Sequence, residues 1–219
     1  MDTLPAPRLR AAPPDTGGAR RDSTAAILAA AERVFARGGF DGARMTEIAA
    51  EAGLPKANLH YYFGTKERLY RAVLEDIVTQ WLDAAAEWIV VERHPAEALA
   101  GYVRAKLAHA RARPGASRIF AAELLRGAPL VMPFLCGELR RRVHGMSAVI
   151  EHWSARGLMD TVSPAHVFFC IWAMTQTYAD FDVQIRAVLA CDSLDDGVFA
   201  AAVETVTALV LKGCGVRAA

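Results

Sequence analysis

The stretch EAGLPKANLHYYF, residues 51–63, starts as an amphipathic helix and breaks at Gly53, Leu54 and Pro55. It then sets Lys56, Asn58, His60, Tyr61 and Tyr62 close together, with Lys66 just beyond. Asn and Lys can bond base edges in a major groove. Tyr hydroxyls, Lys ammonium groups and the free N–H groups of a helix N-terminus can hold phosphates. A polar surface helix with two half-buried tyrosines would have the same composition. A second polar and aromatic set lies in IWAMTQTYADF, residues 171–181. There Trp172, Thr175, Gln176 and Ala179 recur at i, i+3, i+4 and i+7, one face of a helix. A Gln amide offers a donor beside an acceptor, and an indole can cover a flat ring. A helix packing Trp and Gln into a core or a dimer seam would read the same way. Trp81 is a third indole of interest, either in the core or in contact with a ligand.

Bond-making constellations are absent from the sequence. There is no G-x-S-x-G, no H-E-x-x-H and no phosphate loop, and Asp180 and Asp182, two apart, do not share a helix face. The histidines form no H-x-x-x-H pair. Cys136, Cys170, Cys191 and Cys214 lack metal-type spacing and read as buried, reduced thiols. No catalytic residue, metal or cofactor is expected, and an enzyme is disfavoured.

The elements that must position these residues read almost entirely as helix. Ile27, Ala30, Ala31, Val34 and Phe35 make one apolar stripe, which Gly38-Gly39 ends. Met45, Ile48, Ala49 and Ala52 mark a short second helix, stopped at Gly53, and a third spans about 55–62. Ala49 is small where two helices would cross, Gly53 can take φ > 0, and Leu54 and Leu59 anchor the pair: a helix-turn-helix. Thr65 is a candidate N-cap for a fourth helix running to about Val91, with Glu67 in its first turn. Pro95, Pro114 and Ser163-Pro164 signal further starts, with Ser163 as a cap. Residues 127–133, GAPLVMP, read as a loop or broken turn. Leu139, Val143, Met146, Ile150 and Trp153 form an apolar seam, as do Phe199, Val203, Val206 and Val210. These seams exceed what one chain easily covers and point to a second copy. The pattern predicts an all-α protein of about nine helices. A disordered arm (1–20) precedes a helix-turn-helix head (21–66) and a larger helical body (67–219).

Composition agrees with that division. The chain has 219 residues, 53% of them apolar, and a net charge of +1. Residues 1–71 hold eleven Lys/Arg against eight Asp/Glu, a mild excess that places an anionic partner at that end. No membrane span or secretory leader is legible, so a cytoplasmic protein is expected.

MTEIAAEAGLPKANLHYYFGTKERLYRAVL, residues 45–74, resembles the N-terminal signature of TetR-family transcriptional regulators. The resemblance implies a homodimer that binds a near-palindromic site on double-stranded DNA, usually as a repressor, and that a small-molecule effector releases. It implies DNA contacts from Thr46, Lys56, Asn58, His60, Tyr61, Tyr62 and Lys66. The chain departs from the family pattern at Pro55, where Ser is usual, and at His60, where Tyr is frequent. Ala43-Arg44 replaces a common hydroxyl, and Arg44 itself becomes a candidate DNA contact. Residues 102–132 and 171–181 are similar to a uracil-responsive subgroup that regulates pyrimidine utilisation. That likeness implies a pyrimidine such as uracil or thymine held by Trp172, Thr175 and Gln176, with Trp81 on the helix leading to the head. A more apolar effector, or a helical interaction module that binds no DNA, remains the alternative.

Overall fold

The computed structural model describes residues 17–217, and every regular element among them is helical. Ten helices of seven residues or more are joined by one isolated turn and a π turn. Residues 1–16 of the expected arm lie outside the described residues, whereas 17–20 open the first helix.

The head is built from α1 (Gly17–Gly42), α2 (Met45–Glu51) and α3 (Lys56–Phe63). The α1 stripe of Ile27, Ala30, Ala31, Val34 and Phe35 is fully buried. Helical geometry breaks at Gly39, whose φ of 64° suits glycine, and Phe40–Gly42 make a further turn. Ile48 and Ala49 of α2 and Leu59 of α3 close this small core. Between α2 and α3, Gly53 takes φ 67° while Leu54 N donates to Ala49 O at 3.0 Å. This pattern satisfies an end carbonyl of α2. Arg33 and Arg37 of α1 hold Glu51 of α2 at 2.7 and 3.0 Å. Those hydrogen bonds lower the Glu51 carboxyl pKa, but the groups are exposed, so they fix orientation more than stability.

The body comprises α4 (Lys66–Trp88), α5 (Pro95–Ala112), α6 (Pro114–Leu125), the turn α7 (Met132–Phe134), a π turn (Leu135–Leu139), α8 (Arg140–Ala155), α9 (Pro164–Asp180), α10 (Asp182–Leu189) and α11 (Asp196–Gly213). Thr65 caps α4 through a bond from Arg68 N at 3.2 Å, as its position predicts. Pro95, Pro114 and Pro164 each take a first helical position. Ser163 stands before α9, but its hydroxyl makes no capping bond. The fourth helix stops at Trp88, short of Val91. A separate α10 follows the break at Phe181 and was not legible in the sequence. The 127–133 loop is held by buried Glu123, whose carboxylate accepts from Leu130 N at 2.7 Å.

Helix α5 is central: it packs on α4, α9 and α11, burying Leu99, Tyr102, Val103 and Leu107. The two apolar seams correct the expectation placed on them. Met146, Ile150, Trp153, Phe199, Val206 and Val210 are buried within this one chain. Apolar surface is instead left bare on α9, α10 and α11, at Phe169, Val183, Val188 and Leu209. The cysteines also differ from expectation, since Cys136 and Cys170 are exposed and only Cys214 is buried.

Candidate DNA interface and effector pocket

Helix α3 turns Leu59 inward, so the positions on either side of it face out. Lys56 and His60, one helical turn apart, are exposed, and Tyr61 is 73% exposed. Asn58 and Tyr62 form a half-buried shoulder, with the Tyr61 and Tyr62 rings edge to face at 5.2 Å. The N-cap of α3 is Pro55, which provides no capping side chain, so the first N–H groups of the helix stay available to an anion. Arg44 and Thr46 are exposed at the start of α2, where Arg44 occupies the N-cap position. Arg44, Thr46, Lys56 and Tyr61 are thus exposed on the head, and Asn58 is half-buried.

Two sequence candidates are engaged within the head. His60 Nδ1 lies 2.9 Å from Gly64 O, so its N–H closes the end of α3 and leaves Nε2 for a partner. Lys66 Nζ donates to Ala43 O at 3.2 Å and to Asp41 O at 3.4 Å, and sits 4.5 Å from the centre of the Phe40 ring. It ties down the turn between α1 and α2 instead of projecting freely. The sequence gives no sign of this bond, because its partners are backbone carbonyls more than twenty residues away.

In the body, Trp81, Trp172 and Gln176 meet, although Trp81 is far from the other two in sequence. They line a cavity of about 40 Å³ between α4, α5, α6 and α9, with Tyr102, Lys106 and Phe120. The Trp81 ring stands edge to face on Phe120 at 5.3 Å. Trp172 Nε1 donates to Tyr102 Oη at 2.7 Å. Burial pushes the Tyr102 phenol pKa far up, so the group stays neutral. Gln176 contributes an amide that bonds no protein group. Thr175 does not join the pocket; its hydroxyl is spent on Ile171 O at 2.7 Å and Trp172 O at 3.2 Å in its own helix.

Lys106 is the pocket residue that sequence reasoning missed. It is 4% exposed, and its Nζ lies 4.2 Å from the centre of the Trp81 ring. Burial lowers its pKa to about 7, partly opposed by the Asp180 carboxylate. A usable signal was present: Leu99, Tyr102, Val103, Lys106, Leu107 and Ala110 follow a helical stripe, and the lysine interrupts it.

Pocket and head share helices. Trp81 of α4 is in the pocket, while Leu69 and Val73 of the same helix are buried with the head core. Phe120 of α6 is in the pocket, while Gly115 at the other end of α6 approaches α1 so closely that a Cβ there would lie 2.9 Å from Ala36 Cβ. Arg113, at the corner between α5 and α6, pairs with Glu32 of α1 and bonds Gln80 of α4, with Asp76 at 3.7 Å.

Residues 27–73 match the tetR family of bacterial regulatory proteins, and residues 74–217 match the C-terminal region of YcdC-like proteins. The chain is 42% identical over 188 residues to the HTH-type transcriptional regulator RutR of Escherichia coli strain K12, covering 86% of this chain and 88% of that protein. The chain belongs to the TetR family of transcriptional regulators. It is also 28% identical over 193 residues to the HTH-type transcriptional repressor NicS of Pseudomonas putida, covering 85% of this chain and 90% of that protein. A solved structure of a transcriptional regulator from Streptomyces coelicolor superposes with a TM-score of 0.70 at 28% identity, covering 89% of this chain and 99% of that one. The TetR-family match to residues 27–73 contains every candidate DNA contact, and the second match contains the whole pocket. The chain is thus a ligand-responsive, DNA-binding regulator rather than an enzyme. No helix among the described residues is long and apolar enough to cross a membrane.

Proposed function

We propose that the protein is a homodimeric repressor that leaves a near-palindromic operator when a pyrimidine, uracil or thymine, enters the cavity between α4, α5, α6 and α9. The observation that carries the effector reading is the unpaired Gln176 amide lining the same small cavity as the indoles of Trp81 and Trp172. An amide there can match the adjacent N–H and C=O groups of a pyrimidine-dione, while Trp81 and Trp172 cover its faces. The likeness of residues 102–132 and 171–181 to the uracil-responsive subgroup supports the same reading.

The cavity of about 40 Å³ holds water but is small for a six-membered ring. Entry must therefore part Trp81, Trp172 and Phe120. Two of these side chains belong to α4 and α6, the helices that reach the head, so opening the pocket shifts α1 and α3. A ligand acts only through its different affinity for the two states, and a coupling of about 1–3 kcal/mol lowers DNA affinity some 5- to 150-fold.

On the head, Asn58 reads a base edge while Lys56, Arg44, Thr46 and Tyr61 hold phosphates, with His60 Nε2 and the Tyr62 hydroxyl beside them. The partner copy covers α9 and α11, where Phe169 and Leu209 are half exposed and Cys170, Ala173 and Leu209 line an apolar groove. A C2 interface there sets two recognition helices on one side of the duplex, with half-sites about 34–36 Å apart or a multiple of that. Selection of protein-bound genomic fragments with and without uracil and thymine tests the proposal. One palindromic motif recovered only without pyrimidine is expected. Recovery of no motif, or of a motif indifferent to both compounds, would overturn the operator or the effector reading respectively.

A further inference from the structure

The pocket holds more unmatched polarity than the Gln176 amide accounts for. Lys106 is almost wholly buried, yet its ammonium bonds no protein acceptor and rests on the Trp81 ring. Ser117 Oγ and Asp180 Oδ1 are buried without a well-formed hydrogen bond, although Ser117 and Lys106 both act to stabilise the Asp180 carboxylate. Lys106, one turn beyond Tyr102 on α5, lines the pocket, and Asp180 lies one helical turn beyond the pocket residue Gln176 on α9. Burial raises the Asp180 carboxyl pKa and lowers that of Lys106, as expected for charges with too few partners. A buried donor without an acceptor is expensive, and a ligand oxygen can supply what the fold does not.

We propose that Lys106 is the specificity-determining residue of the pocket, donating Nζ–H to a carbonyl or enolate oxygen of the effector, so that the site selects flat cyclic imides over apolar rings of equal size. The inference rests on the effector pocket proposed above. Both forms of the side chain donate, so the contact survives proton loss from the amine. Gln176 reads the N–H and C=O edge, Lys106 the remaining oxygen, and the indoles the faces. An apolar ring would push water from Lys106 and leave the donor unpaired. Sites built to bond a polar group reject analogues lacking it far more strongly than apolar pockets reject an extra methylene.

The test is calorimetric titration of the full-length protein with uracil, thymine, barbiturate, glutarimide and toluene, for wild type, Lys106→Met and Lys106→Gln. Lys106→Met should weaken every cyclic imide at least tenfold and spare toluene; Lys106→Gln, which keeps an N–H donor, should lose less. Equal uracil binding by Lys106→Met and wild type overturns the role of Lys106 and leaves the pyrimidine reading standing. Wild type that binds glutarimide or barbiturate through Lys106 but ignores uracil and thymine overturns the pyrimidine reading alone. Wild type that prefers toluene, or binds none of the panel, overturns both. If neither variant folds, the 15Nζ resonance of Lys106 in the wild type decides: a shift on saturation with an imide supports the contact, and an unmoved signal overturns it.

Discussion

Helix α3 and the cavity beneath α4 both hold polar groups without protein partners, but they hold them in opposite solvents. Lys56 and Tyr61 stand in water, where an unpaired donor is satisfied at once. Lys106 and Gln176 face a cavity of about 40 Å³ walled by aromatic rings, where solvation is poor. The first arrangement leaves the fold unstrained and gains energy only when DNA displaces salt and water. On the function proposed above, the second lowers stability until a ligand arrives, and so would couple ligand to conformation. Substitution should therefore weaken function on α3 with no gain in stability, and should exchange function for stability in the pocket.

The largest expected effect is on α3. Asn58→Ala removes one base contact per half-site, and at about 1–3 kcal/mol each the dimer should lose roughly 2–6 kcal/mol of discrimination. Affinity measured on operator and on scrambled duplex should converge, while uracil binding in the body stays unchanged. A variant that still discriminates in full would remove Asn58 from the reading face.

Next comes the stability of the pocket. Lys106 has a folded pKa of about 7 against 10.5 for the free side chain. The unfolded chain thus binds the extra proton between these values. Stability from this group is fully present above about pH 10.5 and is lost as pH falls toward 7. Lys106→Met should remove that slope and stabilise the protein near neutral pH by roughly 1–4 kcal/mol, the range for replacing buried charge by apolar atoms. Denaturant midpoints at pH 7 and pH 10 for both proteins measure it. Parallel pH profiles would place the Lys106 amine in contact with solvent.

Gln176→Ala should keep operator affinity and erase the 5- to 150-fold response to pyrimidine. An undiminished response would move the effector elsewhere. The smallest effect belongs to Lys66→Ala. Its bonds to Ala43 O and Asp41 O make it a brace for the α1–α2 turn, so a loss of about 1 kcal/mol in head stability is expected. The salt slope of DNA binding should then change less than for Lys56→Ala, where one phosphate contact per subunit is worth about 0.9 in slope. Equal changes would return Lys66 to the phosphates.

The same contrast of solvents explains what was legible beforehand. The head lies in one continuous stretch: the stripe of α1, the break at Gly53 and the polar run from Lys56 to Tyr62 can all be read in order. Thr65 caps α4 for a local reason, and local reasons are visible in sequence. The pocket is drawn from four helices, and its walls meet only after packing. Trp172 and Gln176 share a helix face by their spacing, but nothing in the sequence brings Trp81 to them. Thr175 shared their helix face and was still lost, because its hydroxyl prefers the carbonyl one turn back. Lys106 was missed because a lone lysine in an apolar stripe is usually a solvated one. The 139–153 and 199–210 seams were assigned to a partner because the helices that cover them, α9 for the first and α5 and α9 for the second, could not be placed against them from sequence.

The most direct test of linkage between pocket and head is reciprocity. Uracil affinity should be measured by titration on the free protein and again on the protein saturated with its operator. Two sites that bias one conformational equilibrium must weaken each other by the same factor. Operator should therefore weaken uracil binding 5- to 150-fold, matching the factor by which uracil weakens operator binding. Equal uracil affinity with and without operator would show that the cavity between α4, α5, α6 and α9 does not control the head.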